Sequence, residues 1–149
     1  MGADVSKNIE AAWDENDLEK FRVLTTGKVK PAQLNKMGLL LRAAESKKHA
    51  AWVQELLGMG CNPDITDAEK NTPLHLAAKA NNLQAVEYLL KRTKHYDLKN
   101  EDGDTPLHCA KANSTAMILI EAGANQTAKN AAGFPPQIPK LPPGSANNR

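Results

Sequence analysis

A chain of 149 residues is long enough for one compact domain, and a composition 41% hydrophobic but only 4% aromatic excludes a core of large rings, leaving Ala, Leu, Val and Ile to fill closely spaced helices. Apolar runs such as Gly38 to Leu41 are far too short to cross a bilayer, and with no basic-then-apolar leader a cytoplasmic protein is expected. The net charge of +2 hides a segregation, since residues 1–50 sum to +2, 51–110 to −3 and 111–149 to +3.

Residues 1–5 are expected to be a flexible N-terminus. The opening Met1-Gly2-Ala3-Asp4-Val5-Ser6 fits M-G-x-x-x-[ST], which makes Gly2 a candidate for N-myristoylation. One acyl chain anchors only marginally, so peripheral attachment at the inner face of a membrane needs a second signal. Lys28, Lys30, Lys36, Lys47 and Lys48 belong to a basic run from Lys20 to Lys48 that faces only Glu45. They are the candidate lipid-facing residues, a basic pole able to meet an anionic membrane. Within the same stretch, Ile9–Trp13 and Asp17–Leu24 predict two short helices that would cap whatever follows.

Beyond the cap the chain repeats. Thr72-Pro73-Leu74-His75 recurs 33 residues later as Thr105-Pro106-Leu107-His108, and each is followed by a helical segment and an apolar cluster, Val86–Leu90 and Ala116–Ile120. A third copy aligns upstream through Val53, Leu56 and Leu57. Threonine before proline predicts a helix start, because the hydroxyl accepts an orphan backbone N–H and proline in the first turn has none to lose. Gly60 and Gly123 stand just past helix ends, where a left-handed residue closes the helix without a steric penalty. A helix pair of this kind leaves one face uncovered and must stack on its neighbours.

The pattern resembles the ankyrin repeat, roughly D-x-x-G-x-T-P-L-H-x-A-A, a turn, V-x-x-L-L and a G-A-D-V-N linker. The resemblance implies an all-α solenoid of about four stacked helix-turn-helix repeats with β-turn tips. The repeats are expected near 6–34, 35–66, 67–99 and 100–130, and residues 131–149 form an extended Pro-rich, polar tail. Three positions depart from the pattern. Lys70 replaces a glycine at a tip, Thr93 replaces a left-handed glycine after a helix, and the last repeat lacks three residues, which predicts a truncated first helix. A fifth repeat begins at Asn130 and is stopped by Pro135 and Pro136. P-x-x-P spacings at Pro136/Pro139 and Pro139/Pro142 could serve a Pro-recognising domain, but a linker or a strand shielding the last repeat is preferred.

The resemblance also implies a concave binding face. It includes the partner-binding candidates Thr66, Glu69, Asn71 and Lys79, then Lys99, Glu101, Asp102, Asp104 and Lys111, with Ala68, Ala80 and Ala112 among them. Asp64, Asp67 and Asp97 are expected to extend the tips into an acidic ridge. Such a ridge repels phosphates and favours a protein partner with a basic surface, so neither nucleic acid nor a small-molecule substrate is expected.

Four histidines and two cysteines complete the search for chemistry. His75 and His108 are expected to brace their turns, whereas His49 and His95 stand in polar surroundings and are expected to be solvated. Cys61 and Cys109 lack metal spacing and are expected to be small buried hydrophobes, as is Trp52; Trp13 falls either in the cap's core or on the inner face. With no phosphate loop, nucleophile motif or metal motif, no cofactor and no enzyme activity are expected. The functional expectation is a monomeric, non-catalytic adaptor or inhibitor, with a microbial effector or regulatory subunit as the alternative and an enzyme on a repeat scaffold least favoured.

Overall fold

The computed structural model describes residues 3–138, and every regular element among them is helical. Helix α1 (Ala3–Glu15) and α2 (Leu18–Thr25) form the first pair, and Asp17 caps α2 by accepting the Lys20 N–H at 2.9 Å. Because α1 starts at Ala3, residues 3–5 are helical rather than the flexible segment expected from sequence. Gly2 lies outside the described residues.

The next element, α3 (Pro31–Lys36), was not anticipated. It sits where the second repeat would present its tip, and Asn35 accepts the Asn62 N–H at 3.3 Å. The second pair is α4 (Leu39–Glu45) and α5 (Ala50–Gly58), joined through a 3-10 turn at Lys47–His49. The third is α6 (Pro73–Lys79) with α7 (Leu83–Leu90), and the fourth is α8 (Pro106–Cys109) with α9 (Asn113–Ala122). First helices pack on first helices, α4 against α6 against α8, while α5, α7 and α9 form the second layer. The four-residue α8 is the truncation expected from the deletion.

Small side chains let the layers close. Ala43, Ala44, Ala77 and Ala78 are fully buried, and Val53, Val86, Leu56, Leu89 and Leu119 fill the space between neighbouring pairs. Each such Leu removed from water contributes about 1.5–3 kcal/mol. Asn82 joins two pairs: its amide donates to the carbonyls of Ala44 at 3.1 Å and Ser46 at 3.2 Å, while its Oδ1 accepts the Ala85 N–H at 3.4 Å. One buried side chain thus caps the start of α7 and satisfies carbonyls at the end of α4.

The N-terminal pair is fastened by aromatic rings. Trp52 is 1% exposed, lies 4.7 Å from Phe21 and 5.1 Å from Trp13 between ring centroids, and donates from its indole to Asn16 at 2.8 Å. His49 is buried rather than solvated. Its ring stacks on Trp13 at 3.9 Å, Nε2 donates to the Trp13 carbonyl at 3.0 Å, and Nδ1 meets the Ser46 hydroxyl at 2.8 Å. An imidazole whose two nitrogens both find partners can leave water, which its neighbours in sequence do not reveal. Trp13 therefore belongs to the cap's core.

Gly60 and Gly123 take the expected left-handed conformation, at φ +91° and +115°. Thr93, at the equivalent place after α7, does not. It is buried; its hydroxyl donates to Asp64 Oδ1 at 2.7 Å and accepts the His95 N–H at 3.0 Å. That helix end is held by side-chain bonds instead of a left-handed turn.

Candidate functional site

Three turns of one geometry follow each other along the stack. In each, an N–H meets the carbonyl four residues on, at 2.9–3.0 Å: Asp67 to Asn71, Asn100 to Asp104, and Asn130 to Phe134. The fourth residue of each is left-handed, Lys70 at φ +62°, Gly103 at +72° and Gly133 at +86°. Lysine has therefore not rearranged its turn. Asp67, Asn100 and Asn130 stabilise the turns by accepting N–H groups two and four residues ahead through Oδ1.

Bonds between tips set their spacing. The Glu101 N–H donates to the Glu69 carbonyl and the Ala131 N–H to the Asp102 carbonyl, both at 3.0 Å. Asn100 Nδ2 donates to Asn71 Oδ1 at 2.8 Å, and Asn130 Nδ2 to Asp104 Oδ1 at 3.0 Å. The T-P-L-H histidines cross the same interval. His75 accepts the Thr72 N–H at Nδ1 (3.1 Å) and donates from Nε2 to the Asp104 carbonyl at 2.7 Å; His108 does likewise with Thr105 and the Phe134 carbonyl, at 3.0 and 2.9 Å. These rings brace their own turn, as expected, and also the next one. Burial holds the His75 imidazole below its ordinary range, against the raising pull of the Asp104 carbonyl and the Asp104 and Asp67 carboxylates.

Between the tips and the first helices runs a groove of about 260 Å³ that collects Glu69, Asn71, Lys79, Asp102, Asp104 and Lys111. A second hollow of about 330 Å³ shares Glu69, Asn71 and Lys79 and continues it toward Asp67 and Glu45. Six of the nine partner-binding candidates are thereby brought together. Glu69 and Asp102 stand exposed on the tip wall, and Lys79 and Lys111 stand exposed opposite, so the groove is acidic on one side and basic on the other. Thr66, Lys99 and Glu101 lie apart from it. Lys99 Nζ donates to the Lys129 carbonyl at 2.8 Å, and Glu101 uses its backbone between tips.

The acidic ridge is narrower than the sequence implied. Asp64 is occupied by Thr93 and His95, the latter at 2.6 Å; Asp97 accepts the Asn125 N–H at 2.8 Å; Asp67 is spent inside its turn. Three lining residues, Asn100, His108 and Cys109, were missed. Asn100 occupies the first turn position already recognised at Asp67, which is the signal that could have found it. Cys109 is only partly buried, whereas Cys61 is buried as expected, and burial pushes both thiols up to about 11, leaving them protonated at neutral pH.

The pattern of the family described as Ankyrin repeats (3 copies) matches residues 40–130. That span covers well over half of the chain and begins at α4. The chain belongs to the ankyrin-repeat family. It is 44% identical over 69 residues to the poly [ADP-ribose] polymerase tankyrase of Caenorhabditis elegans, 44% of this chain and 3% of that protein. It is 34% identical over 93 residues to the E3 ubiquitin-protein ligase KEG of Arabidopsis thaliana, 60% of this chain and 6% of that one. With the human transient receptor potential cation channel subfamily A member 1 it shares 34% over 100 residues, 64% of this chain and 9% of the channel. The chain thus spans less than a tenth of each of these relatives.

Ankyrin repeats are a non-catalytic fold that mediates protein–protein interaction. The ankyrin match leaves α1, α2 and α3 outside it, and these carry much of the basic run. Among that run, Lys20 pairs with Glu15 at 2.8 Å, Arg22 with Glu19 and Glu55, and Arg42 with Glu10 at 3.0 Å, so these three do not face solvent unopposed. The candidate lipid-facing residues divide. Lys28, Lys30 and Lys36 flank α3 beside the end of α5, where a β-carbon on Gly60 would lie 3.4 Å from Pro31. Lys47 and Lys48 sit at the start of α5, near Asn16, which donates to the Lys48 carbonyl at 3.3 Å. Nine residues of helix, about 13 Å, separate the two groups.

Proposed function

We propose that this ankyrin-repeat protein is a non-catalytic adaptor or inhibitor that holds a protein partner in the groove between its tips and first helices. The observation carrying this reading is the convergence on one open groove of Glu69 and Asp102 facing Lys79 and Lys111. All four are exposed, and tip-to-tip bonds hold the backbone of Glu69 and Asp102 in place before any partner arrives. A partner segment with basic side chains toward the tips matches this arrangement, and it acts by being tethered or occluded.

The test uses a displayed library of random peptides selected on the full chain, followed by titration of the enriched peptides. Asp102→Lys is expected to weaken binding of a Lys/Arg-containing peptide about tenfold or more, and Glu69→Lys to do the same, with the unfolding midpoint nearly unchanged because both side chains are on the surface. Enriched peptides that bind both variants like the wild type would remove the groove from the function.

A further inference from the structure

We infer that Phe134 is an apolar anchor for the groove's partner, so that the recognised segment carries an apolar side chain about three residues from its basic one. This rests on the proposed function and extends it by one tip.

Phe134 is 60% exposed, against a near-complete burial of the other phenylalanine, Phe21. A single exposed ring is ordinary on a surface, but this one stands at a fixed place at the end of a charged groove, where an apolar side chain of a partner can cover it. The place is fixed. The turn from Asn130 to Phe134 repeats the geometry of the two functional tips, its N–H groups satisfied by Asn130 and its terminal carbonyl held by His108 Nε2. By that equivalence, Phe134 holds the position of Asn71 and Asp104, both of which line the groove.

What changes at this third tip is the chemistry. Ala132 stands where the earlier tips carry Glu69 and Asp102, so the row of carboxylates stops and a ring follows it. Pro136, two residues on, is buried, and Ile138 packs against the core, which ties the segment down beyond the ring. An aromatic on a fixed backbone next to an acidic row suits a partner with an aliphatic or aromatic residue beside a cation, since a ring has few torsions to lose on binding. Neighbouring tips lie about 8–10 Å apart, the distance of stacked helices, and an extended peptide advances about 3.3 Å per residue. The expected motif is therefore basic-x-x-apolar.

The peptide selection decides this. Wild type is expected to enrich Lys or Arg with an apolar residue about three positions away; Phe134→Ala keeps the basic residue, loses the apolar preference and binds the wild-type peptide about tenfold more weakly, while Phe134→Leu retains most of the affinity. If Phe134→Ala selects and binds as wild type does while Asp102→Lys weakens binding, the anchor is wrong and the groove stands. If neither substitution matters, or nothing is enriched, both fall. A wild-type chain that sediments as a dimer and a Phe134→Ala chain that sediments as a monomer would assign the ring to a second copy and overturn the inference.

Discussion

Lys70 carries a full side chain at φ +62°, in a turn whose equivalents use Gly103 and Gly133. An L-residue there loses roughly 1–2 kcal/mol to contact between its β-carbon and backbone, of which glycine's extra freedom in the unfolded chain returns part. Lys70→Gly is therefore expected to raise stability by about 0.5–1 kcal/mol in urea unfolding. The reverse change is more severe: a β-carbon on Gly103 would sit 2.6 Å from the Ala131 nitrogen, so Gly103→Ala should destabilise the chain and loosen the third tip in hydrogen exchange. His75 makes stability depend on pH. Folded His75 is needed neutral, because Nδ1 accepts an N–H, and its range is depressed by burial, so the unfolded chain binds more protons as pH falls through the ordinary imidazole value near 6.5. Its contribution is present above that pH and lost below it, as the folded group takes up its proton. Unfolding free energy should drop between pH 7.5 and 5.5, and His75→Gln should flatten the slope.

Helix α7 shows what happens when an element loses its standard stop. The sequence places a β-branched residue where glycine is wanted, and the turn after Leu90 is closed by Thr93, buried and bonded to Asp64 from the preceding linker. Thr93→Val keeps the shape and removes the hydroxyl, leaving the Asp64 oxygen and the His95 N–H short of a partner. A loss of about 1–2 kcal/mol is expected, measured by denaturant unfolding. Restoring glycine at this position should not help, since the backbone here is not left-handed. Helix α8 makes the opposite point: its shortness was legible from the three missing residues, because helix length follows chain length when both ends are pinned by Thr105 and by the next apolar cluster.

Among the described residues the main helix contacts lie within a pair or between neighbouring pairs, so stability is distributed along one dimension. The N-terminal end is closed by α1 and α2 with a four-ring cluster of Trp13, Phe21, His49 and Trp52; towards the other end Pro136 is buried and Ile138 packs against the core. Leu119→Ala removes a fully buried side chain from the final pair and should cost about 2–5 kcal/mol. Hydrogen exchange is expected to quicken in residues 106–122 well before it does in α5, a gradient that a single globular core would not show.

By itself the sequence determined the pairing and the stacking: the 33-residue spacing, the Thr-Pro helix starts and the Val and Leu positions are local rules, satisfied within a turn or two of chain. The family resemblance, laid on that register, picked out six residues that line one groove. Only the tertiary structure decided side chains whose partners lie about one repeat away. Asp64 meets Thr93, His49 meets Trp13, Lys99 meets Lys129, and the lysines of the basic run part to opposite ends of α5. A stacked chain brings together residues 29–36 apart, and no periodicity specifies which polar groups will meet there; burial and hydrogen-bond geometry between repeats choose them.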